Sequence, residues 1–101
     1  MSTVNQHIYL ISDSTGETVA TVARSIYARF ESINFLESKW ALIRTEKQID
    51  NIVETIKDKR GIVLYTMINL KLENYLINKC KGIEVSSHNV LDNTINKIKN
   101  F

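Results

Sequence analysis

The chain has 101 residues, 44% hydrophobic and 24% charged, with 13 basic and 11 acidic side chains for a net charge of +2. That length suits one small domain with its own core rather than two, and lysines interleaved with acids leave no basic stripe, so no nucleic-acid partner is expected. One cysteine excludes an internal disulfide, no paired Cys/His spacing suggests zinc, and no apolar run nears the roughly 20 residues that span a bilayer; with no leader pattern at the start, the expected location is the cytoplasm, without a membrane partner.

Ile8–Ile11 is a continuous apolar run, the pattern of a strand covered on both faces. A hydroxyl-rich turn with a single glycine follows. From there Val19, Val22, Ala23, Ile26, Tyr27 and Phe30 fall on one helical face. Residues 33–43 read as a second strand, with Phe35, Trp40, Leu42 and Ile43 as apolar bulk. Thr45 and Gln48 form a capping box before a helix with Ile49, Ile52, Val53 and Ile56 inward. Lys57, Lys59 and Arg60 load its last turn and Gly61 stops it.

Ile62–Thr66 is a third strand, again apolar throughout. The spacing predicts a helix from about Leu70 to Lys81, with Leu72, Tyr75, Leu76 and Cys80 inward and Gly82 as its stop. Residues 83–86 alternate like a strand with one wet face. A last helix is predicted over about Val90–Asn100, carrying Leu91, Ile95 and Ile98. The order βαβαβαβα implies a three-layer α/β fold, a four-stranded parallel sheet flanked by helices. The wholly apolar strands one and three belong at the centre. Strands two and four carry charge and belong at the edges, which yields the flavodoxin/Rossmann-like order 2-1-3-4 with its switch point between strands one and three.

In that order the loops at the carboxyl ends of the strands share one rim. They gather Asp13, Ser14, Thr15, Gly16 and Thr18 with Arg44, Thr45, Thr66, Asn69, Ser87 and His88. Backbone amides, hydroxyls and one arginine suit a phosphoryl group. The phosphate- or anion-binding candidates are therefore Asp13, Ser14, Thr15, Gly16, Thr18, Arg44 and Thr45. Ser14-Thr15-Gly16-Glu17 also reads as a capping box, with Ser14 as N-cap and Glu17 at its third position, which needs no ligand. Asp92 suits a helix start as well as a functional role. His7 and His88 have no evident acid or nucleophile partner. Cys80, Trp40 and Tyr65 read as core. The glycines are Gly16, Gly61 and Gly82, and none begins or closes a G-x-x-x-x-G-K-[ST] loop.

Ile8-Tyr9-Leu10-Ile11-Ser12-Asp13-Ser14-Thr15-Gly16-Glu17-Thr18, then Val22-Ala23-Arg24, resembles the opening of the bacterial pyruvate, phosphate dikinase regulatory proteins and of the related phosphoenolpyruvate synthetase regulatory proteins. Trp40-Ala41-Leu42-Ile43-Arg44-Thr45, Ile62–Thr66 and Asn89-Val90-Leu91-Asp92 continue the likeness, which runs from His7 through nearly the whole chain. The resemblance implies a bifunctional serine/threonine kinase and phosphorylase. Such a protein phosphorylates a dikinase threonine with ADP as donor, and removes that phosphate with inorganic phosphate, releasing pyrophosphate.

It further implies that residues 1–101 match the N-terminal part of a longer regulator, whose P-loop kinase domain follows and is absent from this sequence. ADP and phosphate are then family substrates, and no cofactor is expected in this chain. The motif carries over onto Ser12–Thr18, Arg44 and Thr45 without a catalytic role for any of them. Ala41 and Asn93 stand where prolines are expected, which implies a change in loop stiffness. Two alternatives stay open. Thr15-Gly16-Glu17-Thr18 is similar to the T-G-x-T phosphate loop of flavodoxins, which implies FMN, and the domain could instead recognise the dikinase or synthetase without catalysis.

Overall fold

Strand β1 (Val4–Ser12) organises the sheet, because Ile8, Tyr9, Leu10, Ile11 and Ser12 are all buried and both faces need a cover. The structure is a computed structural model describing residues 3–91. Along the chain follow α1 (Glu17–Tyr27), β2 (Ile33–Trp40), α2 (Glu46–Asp58), β3 (Ile62–Thr66), α3 (Leu70–Gly82) and β4 (Ser87–Asn89). The strand order is β2-β1-β3-β4 and every pairing is parallel. The two apolar strands are central and the other two are edges, as their composition predicts.

Alternation along β1 sorts the core into two layers. Ile8 and Leu10 face α1 and join Val19, Ala20, Ala23 and Leu64. Tyr9 and Ile11 face the opposite side and join Ile49, Ile52, Val53 and Ile56 of α2 with Leu72, Leu76 and Cys80 of α3. Each fully buried side chain such as Ile11 contributes about 2–3 kcal/mol of transfer free energy. Cys80 is a wholly buried core residue, and that burial pushes its thiol up to about 11. Tyr65 is buried in the same layer, and half-buried Trp40 packs against it while stacking on Tyr9.

The α2 cap forms as its sequence predicts, with Thr45 Oγ1 accepting from the Gln48 amide and Gln48 Oε1 accepting from the Thr45 amide. At its other end the Tyr9 hydroxyl donates to the Lys59 carbonyl. Helices α2 and α3 are tied through Asp50, which accepts from Tyr75 at 2.6 Å and meets Lys79 at 3.3 Å. The Tyr75 hydrogen bond is the main cause holding the Asp50 carboxyl below its ordinary range.

Five details depart from the sequence-based expectations. Helix α1 buries Ala20 rather than Val22, and Phe30 lies beyond the helix, 47% exposed, with its edge to Phe35. Strand β2 ends at Trp40 because the amides of Leu42 and Ile43 turn to the carbonyls of Ser14 and Ser12. Gly61 does not stop a helix through a left-handed turn. Its lack of a side chain is needed because a Cβ there would lie 2.3 Å from the His7 carbonyl oxygen. Gly82 is the last residue of α3, and Glu84 at φ 58 makes the left-handed turn instead. The fourth strand is therefore Ser87–Asn89 and not 83–86, because Ile83, Glu84 and Val85 wrap back onto the last carbonyls of α3. The helix predicted over Val90–Asn100, with Asp92, lies outside the described residues beyond Leu91.

These two glycines give opposite expectations. Gly61→Ala should destabilise by about 2 kcal/mol or more, since backbone must move to admit the methyl. Gly82→Ala has open space around it and should be neutral or stabilising by up to about 1 kcal/mol from helix propensity. Urea unfolding of the two variants checks the contrast.

Candidate functional site

The chain leaves β1 at its buried carboxyl end through Ser12. Ser12 Oγ accepts from the Thr66 hydroxyl and from the Ser14 amide, both at 3.0 Å, so one side chain joins two strand ends and folds the turn back. The Asp13 amide donates to the Thr66 carbonyl at 3.3 Å. Asp13 Oδ2 accepts from the amides of Ile68 and Asn69 at 2.8 and 2.9 Å, tying the β1–α1 turn to the β3–α3 loop. Asn69 in turn caps α3 by accepting from the Leu72 amide.

The β2–α2 loop closes the other side. Leu42 and Ile43 amides donate to Ser14 and Ser12 carbonyls at 2.8 and 3.1 Å, and Arg44 Nη1 donates to the Asp13 and Ile43 carbonyls. Leu42 holds this position at φ 56, an uncommon conformation for leucine. Arg44 thus has one guanidinium nitrogen on the turn while its side chain remains exposed.

Helix α1 begins at Glu17 with Gly16 as its N-cap, at φ 84 and ψ 6, and no side chain among the described residues caps it. The capping box expected from Ser14 and Glu17 is not formed. The left-handed Gly16 delays the helix, and Ser14 is held instead by Ser12 Oγ and the Leu42 amide. The start of α1 therefore keeps its dipole and backbone donors without a side-chain acceptor. Among the described residues, the hydroxyls of Ser14, Thr15 and Thr18 also have no hydrogen-bond partner.

A cleft of about 120 Å³ lies over this turn, lined by Ser12 to Thr18 with Thr66, Ile68 and Leu91. A neighbouring hollow places Arg44 with Asp13, Ser14 and Asn69. Five of the sequence candidates, Asp13, Ser14, Thr15, Gly16 and Thr18, thus share one cleft and Arg44 flanks it. Thr45 lines neither, since its hydroxyl serves the α2 cap. Ser87 and His88 stand within β4, paired with Val63 and Leu64, rather than in the loop after it.

His7 is remote, five residues before Ser12, stacked on Tyr9 beside Glu54 and Asp58 of α2. No group of three or more His, Cys, Asp or Glu is placed to hold a metal among the described residues. No helix among them is long and apolar enough to cross a membrane.

One cation at the site escapes the motif reading. A Cβ built on Gly16 would lie 2.9 Å from Lys39 Cε and 3.5 Å from Nζ, so this ammonium sits beside the turn. The signal was available only in register: Lys39 pairs with Leu10 on the α1 face of the sheet. Leu91 and Ile68, which also line the cleft, carry no chemical signature in sequence.

The family model described as Kinase/pyrophosphorylase matches residues 8–101. The chain is 41% identical over 85 residues to a protein of Bradyrhizobium diazoefficiens, covering 84% of this chain and 30% of that protein. It is also 41% identical over 90 residues to one of Rhizobium etli, covering 89% of the chain and 33% of the relative. A Rhodopseudomonas palustris relative is 38% identical over 85 residues, covering 84% and 30%. All three are provisionally named pyruvate, phosphate dikinase regulatory proteins. The chain spans about a third of the length of these curated relatives.

The hydrogen bonding separates two serines of the turn. Ser12→Ala should cost about 1–3 kcal/mol, because the buried Thr66 hydroxyl and the Ser14 amide lose their shared acceptor. Ser14→Ala should cost under about 0.5 kcal/mol, whereas loss of a true N-cap typically costs ~1 kcal/mol. Denaturant midpoints at constant m-value distinguish the two.

Proposed function

The chain belongs to the kinase/pyrophosphorylase family, and on that premise we propose that it is the N-terminal α/β part of a pyruvate, phosphate dikinase regulator. In this reading the reaction is transfer of a phosphoryl group from ADP to a threonine of the dikinase, and its removal by inorganic phosphate with release of pyrophosphate. The relatives' names support the dikinase as target. In this reading the ADP site lies outside residues 1–101, since this sequence contains no G-x-x-x-x-G-K-[ST] loop.

The part assigned to this chain is a phosphate-holding turn. The observation that carries it is Gly16: a left-handed N-cap that leaves the start of α1 without a side-chain cap, at the sheet's switch point. Phosphate oxygens would accept from the first-turn amides and from the hydroxyls of Ser14, Thr15 and Thr18. Lys39 of β2 and Arg44 of the loop after it offset the negative charge, against Glu17 in the first turn. Asp13, as a carboxylate, cannot donate to an anion and acts by shaping the turn. Thr45 acts one step further out, holding the loop that carries Arg44. No catalytic base is assigned.

The division of labour is tested by phosphate transfer to purified dikinase from ADP labelled at the β-phosphate. The chain alone should yield no labelled threonine, and addition of the remaining part of the Bradyrhizobium relative should restore transfer. Label with the chain alone would place a complete catalytic site here and overturn the division. Nucleotide-independent capture of the dikinase, with no transfer in either mixture, would make the chain a recognition domain instead.

The turn itself is tested with inorganic phosphate. In wild type, phosphate should move the amide resonances of residues 14–18. Gly16→Val should abolish that response, since a β-branched residue resists φ 84 by about 1–3 kcal/mol. A variant that keeps wild-type phosphate affinity would remove the turn from consideration as the site.

A further inference from the structure

We propose that Asp13 is a positioning residue that sets the conformation of the β1–α1 turn through the β3–α3 loop. Its use for phosphate rests on the reading of that turn as a phosphate site, but the latch itself can be tested without phosphate. Asp13 is the point where three loops meet. Its carboxylate receives the Ile68 and Asn69 amides, its amide reaches the Thr66 carbonyl, and its own carbonyl receives the Arg44 guanidinium. Two backbone donors on one carboxylate oxygen fix its position better than a single donor does. The next residues, Ser14 to Gly16, have no comparable tie to β3. Among the described residues, Ser14 is held by Ser12 Oγ and the Leu42 amide, and Thr15 lines the open cleft.

The direction of Asp13 therefore decides where the chain enters the left-handed Gly16 and where the first-turn amides of α1 point. The acidic residue at the centre of a hydroxyl-rich motif is not itself an anion ligand in this arrangement. It fixes the donors that would be. The coupling also runs outward, because Ile68, whose amide is held by Asp13, is 81% exposed and lines the same cleft.

The test compares the full 101-residue chain with Asp13→Ala and Asp13→Asn by amide-resolved NMR, first without phosphate and then with it. Without phosphate, Asp13→Ala should shift not only the Ile68 and Asn69 amides but also those of Ser14, Thr15 and Gly16. Asp13→Asn, which keeps an acceptor oxygen, should restore part of both sets. With inorganic phosphate, Asp13→Ala should weaken binding by about tenfold or more, the factor expected for loss of a charge-assisted bond, and the asparagine variant should recover part of it. If Asp13→Ala does not fold, the asparagine variant decides by the same readings.

Amides at 14–16 left at their wild-type positions would overturn the latch. A folded alanine variant with wild-type phosphate affinity would overturn its use in binding. Failure of wild type to respond to phosphate would instead remove the phosphate reading, and the spectra without phosphate would still decide the latch.

Discussion

Everything at the carboxyl rim depends on how the end of β1 is held between its neighbours. A central parallel strand has no solvent face on which to satisfy stray polar groups, so a polar residue at its buried end must find partners inside. Ser12 does so with one oxygen that serves Thr66 on β3 and the backbone of Ser14. Because β1 and β3 are in register from Ile8↔Ile62 to Ser12↔Thr66, that bond brings the two strands to an end together. The loops beyond them then leave from a common line, and the cleft lies between them.

The rim is balanced in charge rather than simply basic. Lys39 and Arg44 approach the turn from the β2 side, while Asp13 and Glu17 lie within it. Such a balance suits a site in which the backbone supplies most of the donors and side-chain cations adjust the field. Within that balance, the acid at Asp13 accepts the Ile68 and Asn69 amides. A fully basic rim would repel itself when empty.

Much of the architecture was legible because its signals are local. Unbroken apolar runs placed β1 and β3 at the centre, and helical spacing found the inner faces of α2 and α3 nearly residue for residue. The Thr45/Gln48 cap was readable because both partners lie within one turn. The misreadings occurred where backbone groups find partners far away in sequence. Residues 41–43 resemble a strand in composition, yet the Leu42 and Ile43 amides donate to the carbonyls of Ser14 in the β1–α1 turn and of Ser12 at the end of β1. Val85 alternates like a strand residue because it packs over the end of α3. Ser14 has the chemistry of an N-cap, but Gly16 moves the helix start past it.

The sequence by itself determined the layer order, the central strands, the family and the hydroxyl-rich turn as the place to look. Periodicity and a short motif suffice for these, since each is written in adjacent residues. Tertiary structure alone decided which of those residues meet. It made Asp13 the junction of three loops, brought Lys39 to Gly16, and set Gly61 against the His7 carbonyl. The physical reason is the same in each case: these roles depend on strand register and loop approach, and both arise only when segments dozens of residues apart share one core.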